Sequence, residues 1–252
     1  MGYIFEKTLF TLYDAWQHSP QGMLLDQLST ELIMQLLEPK RGERVLDVGC
    51  GTGNHLLLFY RLGLDVTGLD ASSYMLDIAQ SRLGHRASLK GGRAEELPFE
   101  DNEFDITTLI FTLEFLDDPL AALREAGRVT RDRVFVGVLN SLSLGCMVNK
   151  IQALFHESIF RAIQPFTFWG VKSMLRKAYG DAPIKWGSVQ AAPFFSRQYT
   201  EKGSPSSKVQ THPYGIFLGL ACTMSYILKT SNLQLAEQSK RKADSIAPSF
   251  HR

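Results

Sequence analysis

The chain has 252 residues, 44% of them apolar, enough for one α/β domain with an elaboration and too few for two independent domains of that kind. Its 27 basic and 26 acidic side chains leave a formal charge of +1, so no global field draws it to nucleic acid or to an anionic membrane, and neither is expected as a partner. Cys50, Cys146 and Cys222 are odd in number and far apart, without C-x-x-C or Cys/His spacing, which argues against a disulfide framework or a metal site and suits reduced thiols in a cytoplasm.

Residues 1–42 read as a helical cap. The opening Met1-Gly2-Tyr3-Ile4-Phe5-Glu6-Lys7 lacks the basic start and long apolar run of a signal peptide. A helical pattern then carries Tyr13, Asp14, Trp16 and His18 to a Ser19-Pro20-Gln21-Gly22 break, and it covers either the sheet or a ligand. From 43 to 140 strands and helices alternate: a strand at Arg44 to Val48, a helix at Asn54 to Leu62, a strand at Asp65 to Asp70, and a helix at Ser73 to Leu83 capped by Ser72 or Ser73. A short strand at Ser88 to Lys90, another at Phe104 to Phe111, a helix at Pro119 to Val129 and a strand at Val134 to Leu139 complete this half. Such alternation predicts an α/β fold with a doubly wound, mostly parallel sheet.

After Asn140 the text is aromatic and less regular, with Phe155, His156, Phe160, Phe166, Phe168 and Trp169 ahead of a helix through Tyr179. A strand at Ile184 to Val189, a polar loop around Gly203 to Ser207 and an apolar strand at Ile216 to Ala221 follow. Residues 141–230 thus read as the second half of the same domain, and 231–252, with Lys240-Arg241-Lys242, as a polar, flexible tail. The charge-free run from Pro213 to Leu228 is shorter than a membrane span and is broken by Gly215, Gly219, Thr223 and Ser225.

The run Val45-Leu46-Asp47-Val48-Gly49-Cys50-Gly51-Thr52-Gly53-Asn54 is a buried strand emptying into a glycine turn that opens a helix, the place where such sheets bind nucleotide-like ligands. A pyrophosphate site would have G-x-G-x-x-G; here the glycines fall at 49, 51 and 53, and Asn54 takes the sixth place. That departure counts against a nicotinamide-dependent oxidoreductase. Asp47 would repel a pyrophosphate but suits an ammonium or sulfonium, and S-adenosylmethionine carries both. Asp70 ends the second strand, where a carboxylate can accept both ribose hydroxyls; the competing reading is a helix cap.

The segment Gly92-Arg93-Ala94-Glu95-Glu96-Leu97-Pro98-Phe99, leading to Phe104-Asp105-Ile106, resembles the class I S-adenosylmethionine-dependent methyltransferases of the type 11, small-molecule group. With Val45 to Gly53, Asp70 to Met75 and Leu120 to Val129, the resemblance spans roughly residues 43 to 140. It implies a seven-stranded Rossmann-like sheet in which Gly49, Gly51 and Gly53 cradle the methionyl part of S-adenosylmethionine, Asp70 the ribose, and Ala94 with its neighbours the adenine edge. It makes 43–140 the cofactor half and 141–230 the substrate side. Arg93 stands where the family has an acid for the adenine amino group, leaving Glu95 as a substitute, and Val129-Thr130-Arg131-Asp132-Arg133 replaces a Pro-Gly-Gly turn.

Methyl transfer is an in-line displacement, so positioning supplies most of the rate and no catalytic dyad is required. If the acceptor must lose a proton, Glu114 is the candidate base; it reads equally well as a surface acid or a helix cap. Tyr13 or Trp16 is expected over the cofactor's methionyl end, and Phe166, Phe168 and Trp169 line either an apolar substrate pocket or the core. The sequence therefore predicts methyl transfer to a small, apolar or aromatic acceptor. The alternative is a catalytically silent module that binds S-adenosylmethionine or S-adenosylhomocysteine and acts through protein partners.

Overall fold

Short apolar runs separated by amphipathic stretches bury both faces of every strand only when helices cover both sides of a parallel sheet. The computed structural model, which describes residues 7–155, 159–161, 163–189 and 211–224, has that arrangement. The first elements are α1 (Lys7–Gln17), α2 (Pro20–Leu37), β1 (Arg44–Val48), α3 (Asn54–Arg61), β2 (Asp65–Asp70), α4 (Ser73–Leu83) and β3 (Ser88–Gly91). Then come β4 (Phe104–Ile110), α5 (Pro119–Val129), β5 (Thr130–Leu139), α6 (Leu144–Phe155), α7 (Phe168–Tyr179), β6 (Ile184–Val189) and β7 (Phe217–Thr223).

The seven strands form one sheet in the order β3-β2-β1-β4-β5-β7-β6, parallel throughout except for β7, which runs antiparallel to both of its neighbours. Chain order reverses between β1 and β4. The crossovers leave that point in opposite directions and open a crevice at the carboxyl ends of the strands.

Alternation along the strands sorts the core into two layers. Val45, Ile106, Phe135 and Phe217 share one side with Leu32 of α2 and Phe59 of α3. Leu46, Leu109, Val136 and Leu218 share the other with Leu123 of α5 and Val171 of α7. Each is fully buried, a contribution of about 1.5–3 kcal/mol per large side chain. Helix starts follow local chemistry: Ser19 Oγ accepts from Gly22 N ahead of Pro20, Ser72 Oγ from Met75 N, and Asp118 from Ala121 N ahead of Pro119.

Three differences from the sequence reading have a visible cause. The fourth strand stops at Ile110 because Phe111, although its N–H still donates to the Gly137 carbonyl, turns to a positive φ of 55°. The fifth starts at Thr130, since that residue caps α5 and enters the sheet at once, so the Val129 to Arg133 run is helix end and strand and contains no turn. Residues 144–155, expected to be irregular, form α6. Its start is built by Asn140, whose Nδ2 donates to the carbonyls of Pro213 and Gly215 while its Oδ1 accepts from Leu142 N, and by Ser143 Oγ, which accepts from Cys146 N.

His156, the loop at 203–207 and the tail at 231–252 lie outside the described residues. Among the described residues no helix is long and apolar enough to cross a membrane, and no group of three or more His, Cys, Asp or Glu could hold a metal ion. The three cysteines are buried free thiols.

Candidate active site

The glycine turn is tied down from both sides. The N–H groups of Gly49 and Cys50 donate to the Leu69 carbonyl at the end of β2 (2.7 and 3.0 Å), and Thr112 Oγ1 donates to the Val48 carbonyl at 2.8 Å. The three glycines serve different ends. A Cβ on Gly49 would stand 2.5 Å from Thr112 Cγ2, and one on Gly53 would stand 2.6 Å from Leu83 Cδ1, so both are small for packing. Gly51 has φ +52°, and a Cβ there would meet nothing within 4 Å; it borders open space.

That space is a cavity along the carboxyl ends of β1, β2 and β4. Gly49, Gly51, Asp70 and Ala71 form its floor, and Met75, Gly92 and Ala94 close one end. Tyr13 and Trp16 of α1, with Gly22 and Asp26 of α2, form a cover. The opposite end is apolar and aromatic, with Phe111, Phe115, Leu139, Phe160 and Ile163 around Glu114. The cover is held close because Gly22 lies against the Trp16 carbonyl, where a Cβ would come within 2.1 Å, and Trp16 meets the Phe160 ring edge-on at 5.8 Å.

Asp70 couples the turn to β2: its Oδ2 accepts from Gly51 N and its Oδ1 from Ser72 N, both at 2.8 Å. Burial raises its pKa against these bonds, and each oxygen keeps a lone pair for a further donor. Glu114, in the 3₁₀ turn Leu113–Phe115, is 2% exposed, so it is neither a surface acid nor a helix cap. Its Oε1 accepts from Leu139 N at 2.7 Å, and its Oε2 is buried without a hydrogen-bond partner. Burial pushes its pKa to about 7 although the Leu139 N–H favours the ionised form. Burial likewise holds the Tyr13 hydroxyl well above its ordinary range and keeps it neutral.

Of the residues singled out from the sequence, Tyr13, Gly49, Gly51, Asp70, Ala94 and Glu114 line this one cavity. Asp47 does not. It still belongs to β1, is 2% exposed, and its Oδ1 accepts the Thr108 hydroxyl at 2.7 Å, so any influence on a ligand acts through the turn. Its burial pushes its pKa to about 7. Gly53 packs on α4, away from the cavity wall. Glu95 also lies off the wall, with its Oε1 3.5 Å from Arg93 Nη2, so the residue at 93 engages the expected substitute.

Phe166, Phe168 and Trp169 are not pocket residues either. Phe168 packs on Trp186 with ring centroids 4.3 Å apart, and Trp169 is 54% exposed; the aromatic wall comes from Phe111, Phe115 and Phe160. Among the lining residues not singled out from the sequence is His55, the second residue of α3, whose Nε2 is buried without a partner. Its signal was a polar ring just behind the glycine turn in an otherwise leucine-rich helix.

Residues 46–136 match a family described as a methyltransferase domain. Over 137 residues the chain is 33% identical to an O-methyltransferase of Aspergillus nomiae, a match covering 51% of this chain and 60% of that protein. A demethylmenaquinone methyltransferase of Staphylococcus aureus is 38% identical over 104 residues, 39% of this chain and 43% of the relative. The matched stretches thus span about half the length of these curated relatives. Among solved structures, a SAM-dependent methyltransferase of Thermotoga maritima, a possible histamine N-methyltransferase, has a TM-score of 0.64 at 22% identity. That likeness, which is one of fold, covers 84% of this chain and 94% of the other. Residues 46–136 thus match a methyltransferase domain, and the fold of most of the chain is that of a solved SAM-dependent methyltransferase.

Proposed function

We propose that this protein transfers a methyl group from S-adenosylmethionine to a small apolar or aromatic acceptor. The observation that carries this reading is a single cavity whose polar floor, at Gly51 and Asp70, continues into an aromatic end around Glu114. Counted out to its open mouth, the space is ≈ 1300 Å³.

The residues fit the cofactor. Gly51 leaves open the volume a side chain would fill, and Asp70 retains lone pairs for two ribose hydroxyls. Met75 and Ala94 offer apolar contact to a base, while Tyr13 and Trp16 cover the methionyl end. Bound there, S-adenosylmethionine supplies a methyl carbon on a cationic sulfur. The chain's own work is to seat the acceptor, exclude water and accept a proton. Phe111, Phe115, Phe160 and Ile163 give an apolar wall, and the buried Glu114 Oε2 would take the proton from a hydroxyl or carbon acid. With a pKa of about 7 it is divided between acid and base near neutrality, the range in which such a group works best.

In this reading residues 43–140 hold the cofactor, 141–230 complete the acceptor side, and 1–42 cover both. The O-methyltransferase and demethylmenaquinone methyltransferase relatives support an apolar or aromatic acceptor. A silent binding module has less reason to keep a carboxyl oxygen buried without a partner in its cavity, since that destabilises the fold. The test is incubation with S-adenosylmethionine and a panel of phenols, quinols and apolar carbon acids, read by mass spectrometry. S-adenosylhomocysteine and a methylated product should form with an aromatic acceptor and fall sharply with Glu114→Gln. Cofactor binding without turnover across the panel would favour the silent module.

A further inference from the structure

Among the described residues ten large apolar side chains stand exposed, and six of them fall in the second half of the domain: Leu142, Leu144, Met147, Ile151, Trp169 and Tyr214. Single exposed apolar residues are ordinary, but these are grouped. In α6 Leu144, Met147 and Ile151 are 65%, 50% and 55% exposed and recur at i, i+3 and i+7, so they form one stripe. The other side of the helix faces the protein, with Cys146 buried and Lys150 Nζ donating to the Ile163 carbonyl at 2.6 Å. Because Ile163 lines the cavity, the helix borders its acceptor end. Hydrogen bonds gather the remaining three residues near the start of α6. Ser141 N donates to the carbonyl of Phe166, just ahead of Trp169, and Asn140 Nδ2 donates to the carbonyls of Pro213 and Gly215, which flank Tyr214. All six thus belong to segments that meet at the carboxyl end of β5, where antiparallel β7 begins.

The net charge of +1 averages over an uneven distribution. From Asn140 to Tyr179 the sequence has five bases, Lys150, Arg161, Lys172, Arg176 and Lys177, against the single acid Glu157, which leaves the remainder of the chain net acidic. Arg161, in the 3₁₀ turn that packs on α6, is exposed, and Lys172 Nζ stands 5.6 Å from the centre of the Phe168 ring, beside Trp169. An aliphatic stripe with bases around it and a tryptophan and a tyrosine at its edge suits the boundary between anionic headgroups and acyl chains. It does not suit a second copy of this chain, because two basic faces would repel.

We propose that this face docks on an anionic lipid surface, with the α6 stripe entering the headgroup layer and Arg161 and Lys172 meeting the lipid phosphates. Docking would hold the acceptor end of the cavity against the bilayer, where an apolar acceptor dissolves. That consequence, though not the docking itself, rests on the function proposed above.

The test is sedimentation of the full chain with vesicles of phosphatidylglycerol and phosphatidylcholine in equal parts, and with vesicles of phosphatidylcholine alone. The wild type should sediment with the anionic vesicles, bind the neutral ones more weakly, and be released as salt is raised. Met147→Glu with Ile151→Glu, both off the cavity wall, should lower partitioning by about 10- to 100-fold, the span expected when two half-exposed apolar side chains lose their burial. The same pair should leave the melting temperature and S-adenosylhomocysteine binding unchanged. Tyr60→Glu with Leu62→Glu adds the same charge at exposed apolar positions at the far end of α3 and should leave partitioning unaltered. A wild type that stays in solution with anionic vesicles would overturn the assignment, as would equal loss in the two double variants or no loss in the α6 pair. Self-association of the wild type that the α6 pair abolishes, without vesicle binding, would give the face to a second copy and overturn it too. Vesicle binding by a wild type that takes up no S-adenosylhomocysteine would uphold the docking face and overturn the cofactor reading instead.

Discussion

Glu114 offers a test of the buried site that needs no ligand. Only one of its carboxylate oxygens has a hydrogen bond, from Leu139 N, and its pKa is pushed from the ordinary 4.5 to about 7. Between those values the native protein holds a proton here that the unfolded chain has already released. The stability associated with that proton is full below pH 4.5 and is lost as the pH rises through about 7. The span corresponds to a loss of about 3 kcal/mol at 1.36 kcal/mol per pH unit. Glu114→Gln keeps an oxygen for the Leu139 N–H and cannot ionise, so it escapes this loss. Urea unfolding followed by tryptophan fluorescence would find the variant within about 1 kcal/mol of wild type near pH 4.5, and more stable by up to about 3 kcal/mol near pH 8. Asp47 is also pushed to about 7, but it contributes the same slope to both proteins and cancels in the difference. A difference between variant and wild type that stays constant over this range would refute the claim that Glu114 enters the fold protonated.

The glycines of the turn should separate by assay. Gly51→Val strains the left-handed backbone by about 1–2 kcal/mol but its Cβ meets nothing within 4 Å, so thermal melting should show a folded protein while calorimetry shows S-adenosylhomocysteine binding abolished. Wild-type affinity in that variant would mean the ligand does not pass over the turn. Gly49→Ala places a methyl group against Thr112 and should lose about 1–3 kcal/mol of stability in the same melts; an unchanged midpoint would show that this contact relaxes freely. Replacing Tyr13 and Trp16 together by Ala removes two walls of the cover and should lower S-adenosylmethionine affinity, and an unchanged dissociation constant would defeat their assignment as the cover.

The half from Arg44 to Leu139 was legible because its signals are local. Strands buried on both faces read as apolar runs, and Ser72, Pro119 and the glycine turn mark helix starts within a residue. The remainder was less so for reasons of distance. α6 is initiated by Asn140 reaching the carbonyls of Pro213 and Gly215, a contact across more than seventy positions that no window of sequence contains. Side-chain direction was the other obstacle. Asp47 and Glu95 sit beside cavity residues in the chain, yet one is held in the sheet by Thr108 and the other is beside Arg93. His55 and the Phe160 wall became visible only once the cover and the sheet were brought together.

Calorimetric titration of wild type and Asp70→Ala with S-adenosylhomocysteine asks whether the cavity over Gly51 and Asp70 is the S-adenosylmethionine site. Asp70 would hold two ribose hydroxyls in addition to its bonds from Gly51 and Ser72, and losing two charge-assisted hydrogen bonds corresponds to at least about a hundredfold in affinity. The wild type should bind saturably and one-to-one, and binding should nearly disappear in an Asp70→Ala variant that still unfolds cooperatively. Absence of binding in the wild type, or equal binding in a folded Asp70→Ala protein, would contradict that assignment.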